Sequence, residues 1–146
     1  MTSETALRVE RRIAATPAQV YAYLTDSALW ARWQGTSAEI EAAPGGRFRM
    51  ELANGPAAEG RFVELVQDRR VVFTWGWSGS ATVPPGSSTV EIELRPEADG
   101  TLVVLTHRGL PPEEHPIHAA GWGHYLPRLA AVAEGGGPGP DTPPGR

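Results

Sequence analysis

Two histidines and several large aromatic side chains stand at positions suited to proton transfer or to binding of a small molecule. His107 ends a run of alternating residues on the parity of Val103 and Leu105, so it is expected to point inward. His118 stands on the apolar stripe of a later helix. Imidazoles titrate near neutrality, so the two could form an acid/base pair or supply hydrogen bonds. The alternative is that each is a structural histidine satisfied within the core.

Aromatic residues surround the expected position of this pair. Trp75 and Trp77 share one strand face, which is expected to lie beneath a helix that carries Trp122 and Tyr125. Such rings either fill a core or form a wall for a flat or elongated apolar ligand. Buried indole N–H and phenol groups need partners, so their convergence favours a small-molecule site with a few polar points on apolar walls.

Other chemistries find little support. Cysteine is absent and no serine nucleophile motif accompanies the histidines, so neither covalent catalysis nor a thiolate zinc site is expected. His115 and His118 are neighbours on a helix, but His124 lies about 600° further on and faces elsewhere. Zinc needs three or four converging ligands. Gly45 and Gly46 form a turn with no helix N-terminus after it, so they are not a phosphate cradle. We predict no metal and no cofactor.

One long helix is predicted over residues 115–134. Its stripe recurs at steps of four, three, four and three, through His118, Trp122, Tyr125, Leu129 and Val132. Pro127 lacks an N–H, so a kink is expected there. Gly121 and Gly123 lower the helix propensity of the first half of the helix. A lone amphipathic helix after a run of strands must bury its stripe against their sheet.

The rest of the chain reads mainly as strands. Phe48 and Met50 face one way while Arg47 and Arg49 face the other as a solvated face, and this period of two continues to about residue 109. A first strand near residues 6–14 and two short helices precede this region. The predicted order is strand, two short helices, six strands and one long helix. This order is typical of an α+β fold with helices on one side of a strongly curved antiparallel sheet.

Composition bounds the function classes. The chain has 146 residues, which suits one domain, and its net charge is −4 with 17 acidic residues and 13 basic residues, all arginine. Scattered arginines on an acidic chain argue against nucleic-acid binding. The N-terminus lacks the apolar core of a secretory signal, and no stretch approaches the roughly 20 apolar residues of a membrane span. We therefore expect a cytoplasmic protein, with a domain over residues 1–134 and a disordered Gly/Pro-rich tail over 135–146.

Six segments in this order resemble a known family: TPAQVYAYLTDSALWARW, PGGRFRM, GRFVELVQDRRVVFTW, STVEIEL, TLVVLTHRGLP and GWGHYLPRLA. They are similar to homologues of the heat-shock-protein-90 ATPase activator, within the START-like (SRPBCC) superfamily, over residues 7–133. The resemblance implies the helix-grip fold, with a cavity between the sheet and the C-terminal helix that often holds an apolar small molecule. This superfamily hosts ligand carriers, cyclases, hydrolases and protein partners, so the resemblance is specific for fold and not for function.

The leading hypothesis is a START-like domain that binds an apolar or aromatic small molecule in this cavity without a catalytic constellation. The predicted lining residues are Trp33, Phe48, Met50, Phe73, Trp75, Trp77, His107, His118, Trp122 and Tyr125. One alternative is a polyketide cyclase or aromatase with His107, His118 and Tyr125 as proton-transfer groups. Another is a protein-interaction module related to chaperone regulation, for which the acidic, lysine-free chain offers little basic docking surface.

A ligand is predicted to enter the cavity between a loop and the first half of the C-terminal helix. Residues 78–88 are rich in glycine, proline and serine and read as a mobile loop. Together with the first half of the helix, residues 115–123, they are expected to form a mobile portal, while residues 126–133 stay packed. The alternative is a helix that is kinked only to follow the curved sheet.

Overall fold

The strands form one antiparallel sheet. The computed structural model describes residues 6–53, 55–139 and 141. Within these residues the strands are Leu7–Ile13 (β1), Ser37–Ile40 (β2), Arg47–Glu51 (β3), Ala57–Val66 (β4), Arg70–Trp75 (β5), Ser88–Glu97 (β6) and Gly100–Arg108 (β7). Their order across the sheet is β1-β7-β6-β5-β4-β3-β2. After β1, each strand therefore pairs with the next strand along the chain, and β1 closes the sheet beside β7.

Three helices lie in the described chain: Pro17–Thr25 (α1), Ser27–Trp30 (α2) and His115–Ala133 (α3), the last after a 3₁₀ turn at Pro112–Glu114. At the start of α1 the Gln19 N–H donates to Thr16 Oγ1 and the Thr16 N–H donates to Gln19 Oε1, a capping box. The predicted element order and α+β class are confirmed. Within the described ranges, no helix combines the length and the apolar character needed to cross a membrane.

The sheet has one apolar and one charged face. Phe48, Met50, Phe73 and Trp75 belong to the buried core on the inner face. The outer face holds three ion pairs between neighbouring strands, Arg70–Glu64, Arg70–Glu91 and Arg108–Glu91, and one within β6, Arg95–Glu93. Arg49 pairs with Glu51 and Arg47 with Glu39 on the same side of the alternation. This division directs the aromatic side chains toward the helices: Phe48 and Phe73 lie against Trp30 of α2, and Trp75 lies against Trp122 of α3.

Helix α3 closes the inner face of the sheet and contacts β1 and α1. Its buried residues follow the predicted stripe: His118, Trp122, Tyr125, Leu126, Leu129, Ala130 and Val132. The helix continues through Pro127 as one element. A Cβ added at Gly121 or Gly123 would meet open space, so no neighbour requires glycine at either position.

The connection between β5 and β6 is more firmly attached than its composition suggests. The Trp77 N–H donates to the Val83 carbonyl over 2.7 Å, and the Val83 side chain is 1% exposed. A Cβ at Gly76 would collide with the carbonyl of Pro84, so this close approach requires glycine. Ser88, predicted within the loop, is the first residue of β6. The loop is therefore anchored to the core at its middle and at its end.

Candidate functional site: a buried histidine pair among three tryptophans

Strand β7 and helix α3 bring the two candidate histidines together. His107 lies near the end of β7 and is 0% exposed, and His118 lies in the first turn of α3 and is 4% exposed. Their ring centroids are 5.3 Å apart with the planes at 89°. Both side chains therefore enter the same gap between the sheet and the helix.

The hydrogen bonds of His107 determine its tautomer. Trp122 Nε1–H donates to His107 Nδ1 over 3.1 Å, and an indole nitrogen can only donate. The imidazole proton must therefore sit on Nε2, which lies 2.8 Å from Ser88 Oγ. The Ser88 hydroxyl in turn donates to the Trp75 carbonyl over 2.8 Å. A series of hydrogen bonds thus runs from Trp122 through His107 and Ser88 to the Trp75 carbonyl, and each donor in it has an acceptor when the imidazole is neutral.

His118 is arranged in the same way by different partners. Trp77 Nε1–H donates to His118 Nε2 over 3.1 Å, so the proton of the neutral ring sits on Nδ1. This N–H faces the Glu114 carbonyl at 3.0 Å, and the Glu114 carboxylate lies 3.5 Å away. Each histidine therefore accepts from one tryptophan and donates toward oxygen.

Burial strongly favours the neutral form of His107. Desolvation, and to a smaller extent the charges of His118 and His115, lower the pKa of His107 from 6.5 to about 3. A proton added at Nδ1 would also break the bond from Trp122. His107 is thus a hydrogen-bonding group at neutral pH and not an acid.

Ser88 was not among the predicted site residues. It lies opposite Trp75 in the β5–β6 ladder and is 3% exposed. It shares the parity of Val90, Ile92 and Leu94, so the alternation of β6 was the available signal. The Ser88–His107 contact is not a nucleophile–base pair, because the Nε2 proton already points at the hydroxyl.

The Tyr125 hydroxyl bonds to a residue of the tail and not to either histidine of the pair. Its hydroxyl donates to Asp141 Oδ2 over 3.0 Å, and His124 Nε2 lies 2.9 Å from Asp141 Oδ1. Burial first, and the Asp141 carboxylate second, raise the pKa of Tyr125 above its ordinary 10.0. Of the three predicted proton-transfer residues, His107 and His118 therefore meet, whereas the Tyr125 hydroxyl bonds to Asp141 in the tail.

The tail itself folds back along α3 where it is described. The Arg128 guanidinium donates to the carbonyls of Pro138 and Gly139, and its Nε donates to the Trp33 carbonyl. With Asp141 at Tyr125, these contacts join the tail to α3, and Arg128 also joins α3 to the segment after α2. The predicted disorder concerned residues 135–146, of which residue 140 and residues 142–146 lie outside the described residues.

The remaining predicted lining residues form one aromatic cluster with the site. Trp33 stacks near Trp30 at 4.8 Å, Phe48 lies 4.5 Å from Phe73, and Phe48 lies 5.7 Å from Trp75. All ten predicted residues, including Met50, are buried. Their side chains fill the space beside one another, so a ligand of ordinary size would have to move some of them. A surface cleft of about 220 Å³ reaches Phe48 from outside, below the usual range of roughly 300–1,000 Å³ for ligand pockets.

The part of the chain that the structure describes contains no cluster of side chains suited to bind a metal ion. No group of three or more His, Asp or Glu side chains there is placed to hold a metal ion. His118 bonds to Trp77 and His124 contacts Asp141, so these two histidines of α3 have separate partners.

Comparison with known proteins relates the chain to a family. The family described as "Activator of Hsp90 ATPase homolog 1-like protein" matches residues 14–134. The AHSA1-like protein RHE_CH02687 (1-152) of Rhizobium etli is 46% identical, with a TM-score of 0.76 over 100% of this chain and 92% of that one. Protein CV1439 of Chromobacterium violaceum is 28% identical, with a TM-score of 0.77 over 93% and 98%.

A third solved structure has the same fold at lower identity. DynU16, a putative protein in the dynemicin biosynthetic locus, is 24% identical with a TM-score of 0.79, over 91% of this chain and 48% of that one. No curated protein matches the chain. The family match covers most of the sequence and agrees with the helix-grip arrangement of sheet and α3. The chain therefore belongs to the family of Activator of Hsp90 ATPase homologue 1-like proteins.

Proposed function

We propose that this domain binds an apolar or aromatic small molecule in the gap between the sheet and α3. The observation that supports it best is the neutral pair of His107 and His118 enclosed by Trp75, Trp77 and Trp122. Apolar walls with a few oriented polar groups are the usual composition of a small-molecule site. Burial of about 200 Å² of apolar ligand surface would contribute about 5 kcal/mol before the costs of association.

Entry requires motion, because the aromatic residues of the site are buried. The first half of α3 is the element best suited to move. Gly121 and Gly123 lower its helix propensity without any steric need for glycine, and Pro127 lacks the N–H that would bond to the Gly123 carbonyl. The β5–β6 loop contributes less to this motion than its composition suggests, since Val83 is buried.

Native mass spectrometry of freshly purified protein provides the first test, because a co-purifying ligand would add a discrete mass. A panel of polyketides, fatty acids and sterols, followed by tryptophan fluorescence, extends the test to ligands lost in purification. No added mass, together with unchanged fluorescence across the panel, would remove the support for ligand binding.

Two matched variants localise the binding. Trp77→Phe removes an indole that bonds to His118, while Trp30→Phe removes a buried indole that bonds to Gln34 outside the histidine cluster. Both replace one tryptophan by a smaller ring. Only Trp77→Phe should weaken ligand binding. Equal effects of the two variants would point to a general loss of packing and against this site.

A proton-transfer enzyme of the cyclase or aromatase type is the second candidate. The facing rings of His107 and His118 favour it, because two ionisable side chains reach the same gap. The low pKa of His107 leaves His118 as the residue that would exchange a proton. We expect a His118→Gln variant to bind the ligand but to lose turnover of a linear poly-β-ketone. An unchanged turnover rate would remove this candidate.

A further inference from the structure

The tryptophan side chains differ in how their N–H groups are satisfied. Four of the five indoles donate over 3.1 Å to a protein acceptor: Trp30 to Gln34 Oε1, Trp33 to the Tyr23 carbonyl, Trp77 to His118 Nε2 and Trp122 to His107 Nδ1. This follows the rule that a buried Trp N–H finds a partner. The fifth indole, Trp75, departs from the rule.

Trp75 is 2% exposed, and its Nε1–H has no hydrogen-bond acceptor among the residues that the structure describes. Its ring lies in the middle of the site, with ring centroids 5.1 Å from Trp122, 5.2 Å from Trp77 and 5.8 Å from His107. A buried donor without an acceptor is costly and rare in a native protein. The donor is therefore available to a molecule that enters the site.

The neighbouring polar atoms are already engaged with one another. His107 accepts from Trp122 and donates to Ser88, whose hydroxyl donates to the Trp75 carbonyl. His118 accepts from Trp77 and faces the Glu114 carbonyl. A ligand that keeps these bonds intact thus meets the Trp75 N–H as the remaining donor of the cluster.

We propose that the ligand is a neutral molecule that places a hydrogen-bond acceptor, a carbonyl or ether oxygen, against the Trp75 Nε1–H. This inference rests on the proposed ligand-binding function. A protonated amine would place its own N–H donors against the Trp75 N–H donor, so no hydrogen bond could form. A carboxylate would lose its hydration in this buried cluster, and His107 could offer it a positive charge only by losing the bond from Trp122.

The free protein gives the first readout, which needs no ligand. In a ¹H–¹⁵N spectrum the five indole N–H signals can be assigned through single Trp→Phe variants. Hydrogen bonding moves such protons downfield, so the Trp75 signal is expected upfield of the other four. A Trp75 signal within the range of the bonded indoles would show that an acceptor, such as a bound water, already occupies the position, and would overturn the inference.

The ligand readout uses benzophenone and diphenylmethane, which differ mainly by replacement of the carbonyl with a methylene. We expect benzophenone to bind about 2- to 12-fold more tightly, the usual net effect of one hydrogen bond, and to move the Trp75 signal downfield. Trp75→Phe should abolish the preference for benzophenone, while Trp30→Phe should retain it. The anion 4-benzoylbenzoate should bind more weakly than benzophenone.

The outcomes separate this inference from the ligand-binding function. Equal binding of the two probes with an unmoved Trp75 signal would leave small-molecule binding standing and overturn the assigned acceptor. Preferential binding of benzophenone that survives Trp75→Phe would also overturn it. If neither probe binds and the mass and fluorescence tests find no ligand, both proposals fail together.

Discussion

His107 and His118 face each other edge to face with ring centroids 5.3 Å apart, yet no hydrogen bond between them is needed to hold either ring. Trp122 orients one ring and Trp77 orients the other. Because each imidazole accepts from an indole, both are fixed as neutral tautomers with a defined donor direction.

The first prediction concerns acid stability. The pKa of His107 is lowered to about 3, so below about pH 6.5 the unfolded chain binds a proton that the folded chain does not. The effect of His107 on the free energy of unfolding is therefore constant above about pH 6.5, and this free energy decreases as the pH falls from there toward about 3. Between pH 7.5 and 4.5 the free energy of unfolding should decrease by about 2–3 kcal/mol, which urea unfolding at both pH values can measure.

A glutamine at position 107 provides the control for that prediction. The amide of His107→Gln can accept from Trp122 and donate to Ser88 but does not titrate. The variant should lose about 2 kcal/mol or more of the pH dependence while it keeps a cooperative transition. An unchanged pH dependence would show that His107 is not the titrating group.

The second prediction concerns Ser88. Ser88→Ala removes the acceptor of the His107 Nε2–H and leaves that donor buried, which should lower the free energy of unfolding by about 1–3 kcal/mol. Ser87→Ala is the matched control, because Ser87 is exposed and should change stability by less than about 0.5 kcal/mol. Similar effects of the two variants in urea unfolding would contradict the assigned role.

The third prediction concerns the first half of α3. Gly121→Ala and Gly123→Ala place a methyl group in open space on a helix, so each should stabilise the protein by about 0.5–1 kcal/mol. Hydrogen exchange should slow in residues 115–123, and binding of a ligand should become slower if this segment is the portal. Uniform protection along the wild-type helix would rule the portal out.

Gly76→Ala, in the connection between β5 and β6, should instead lower the free energy of unfolding, because the added Cβ would collide with the Pro84 carbonyl.

The fourth prediction concerns the contact between the tail and Tyr125. Asp141→Ala removes the carboxylate that raises the pKa of the Tyr125 phenol, so this pKa should fall while burial still holds it above 10.0. NMR of ¹³Cζ-labelled tyrosine can follow the titration. Glu113→Ala removes an exposed carboxylate elsewhere and should leave Tyr125 unchanged. No shift in Asp141→Ala would show that the tail does not hold the phenol in solution.

Much of the fold could be predicted because its signals are local. Thr16 and Gln19 form their capping box within four residues, and the alternation of Phe48 and Met50 follows from the strand period alone. The stripe on α3 was predictable for the same reason. Family resemblance then supplied the arrangement of these elements in space.

The site's connections depended on tertiary geometry and could not be predicted in the same way. Ser88 reaches His107 because the β5–β6–β7 register places them on one face; the alternation of STVEIEL showed the parity of Ser88 but not its partner. The choice of Trp122 for His107 and of Trp77 for His118 depends on how α3 lies across the sheet. Asp141 lies in a Gly/Pro-rich segment whose composition suggested no contact at all.

Binding of a small molecule between the sheet and α3 would bring ligand protons close to aromatic ring protons, which intermolecular nuclear Overhauser effects detect. For the tightest binder of the panel, we predict contacts from the ligand to the ring protons of Trp77 and Trp122. Val63 and Val66, large apolar residues exposed on β4, provide the comparison because they could attract apolar molecules nonspecifically. Contacts to these valines, without contacts to either tryptophan, would place the ligand on the exposed surface and overturn binding between the sheet and α3.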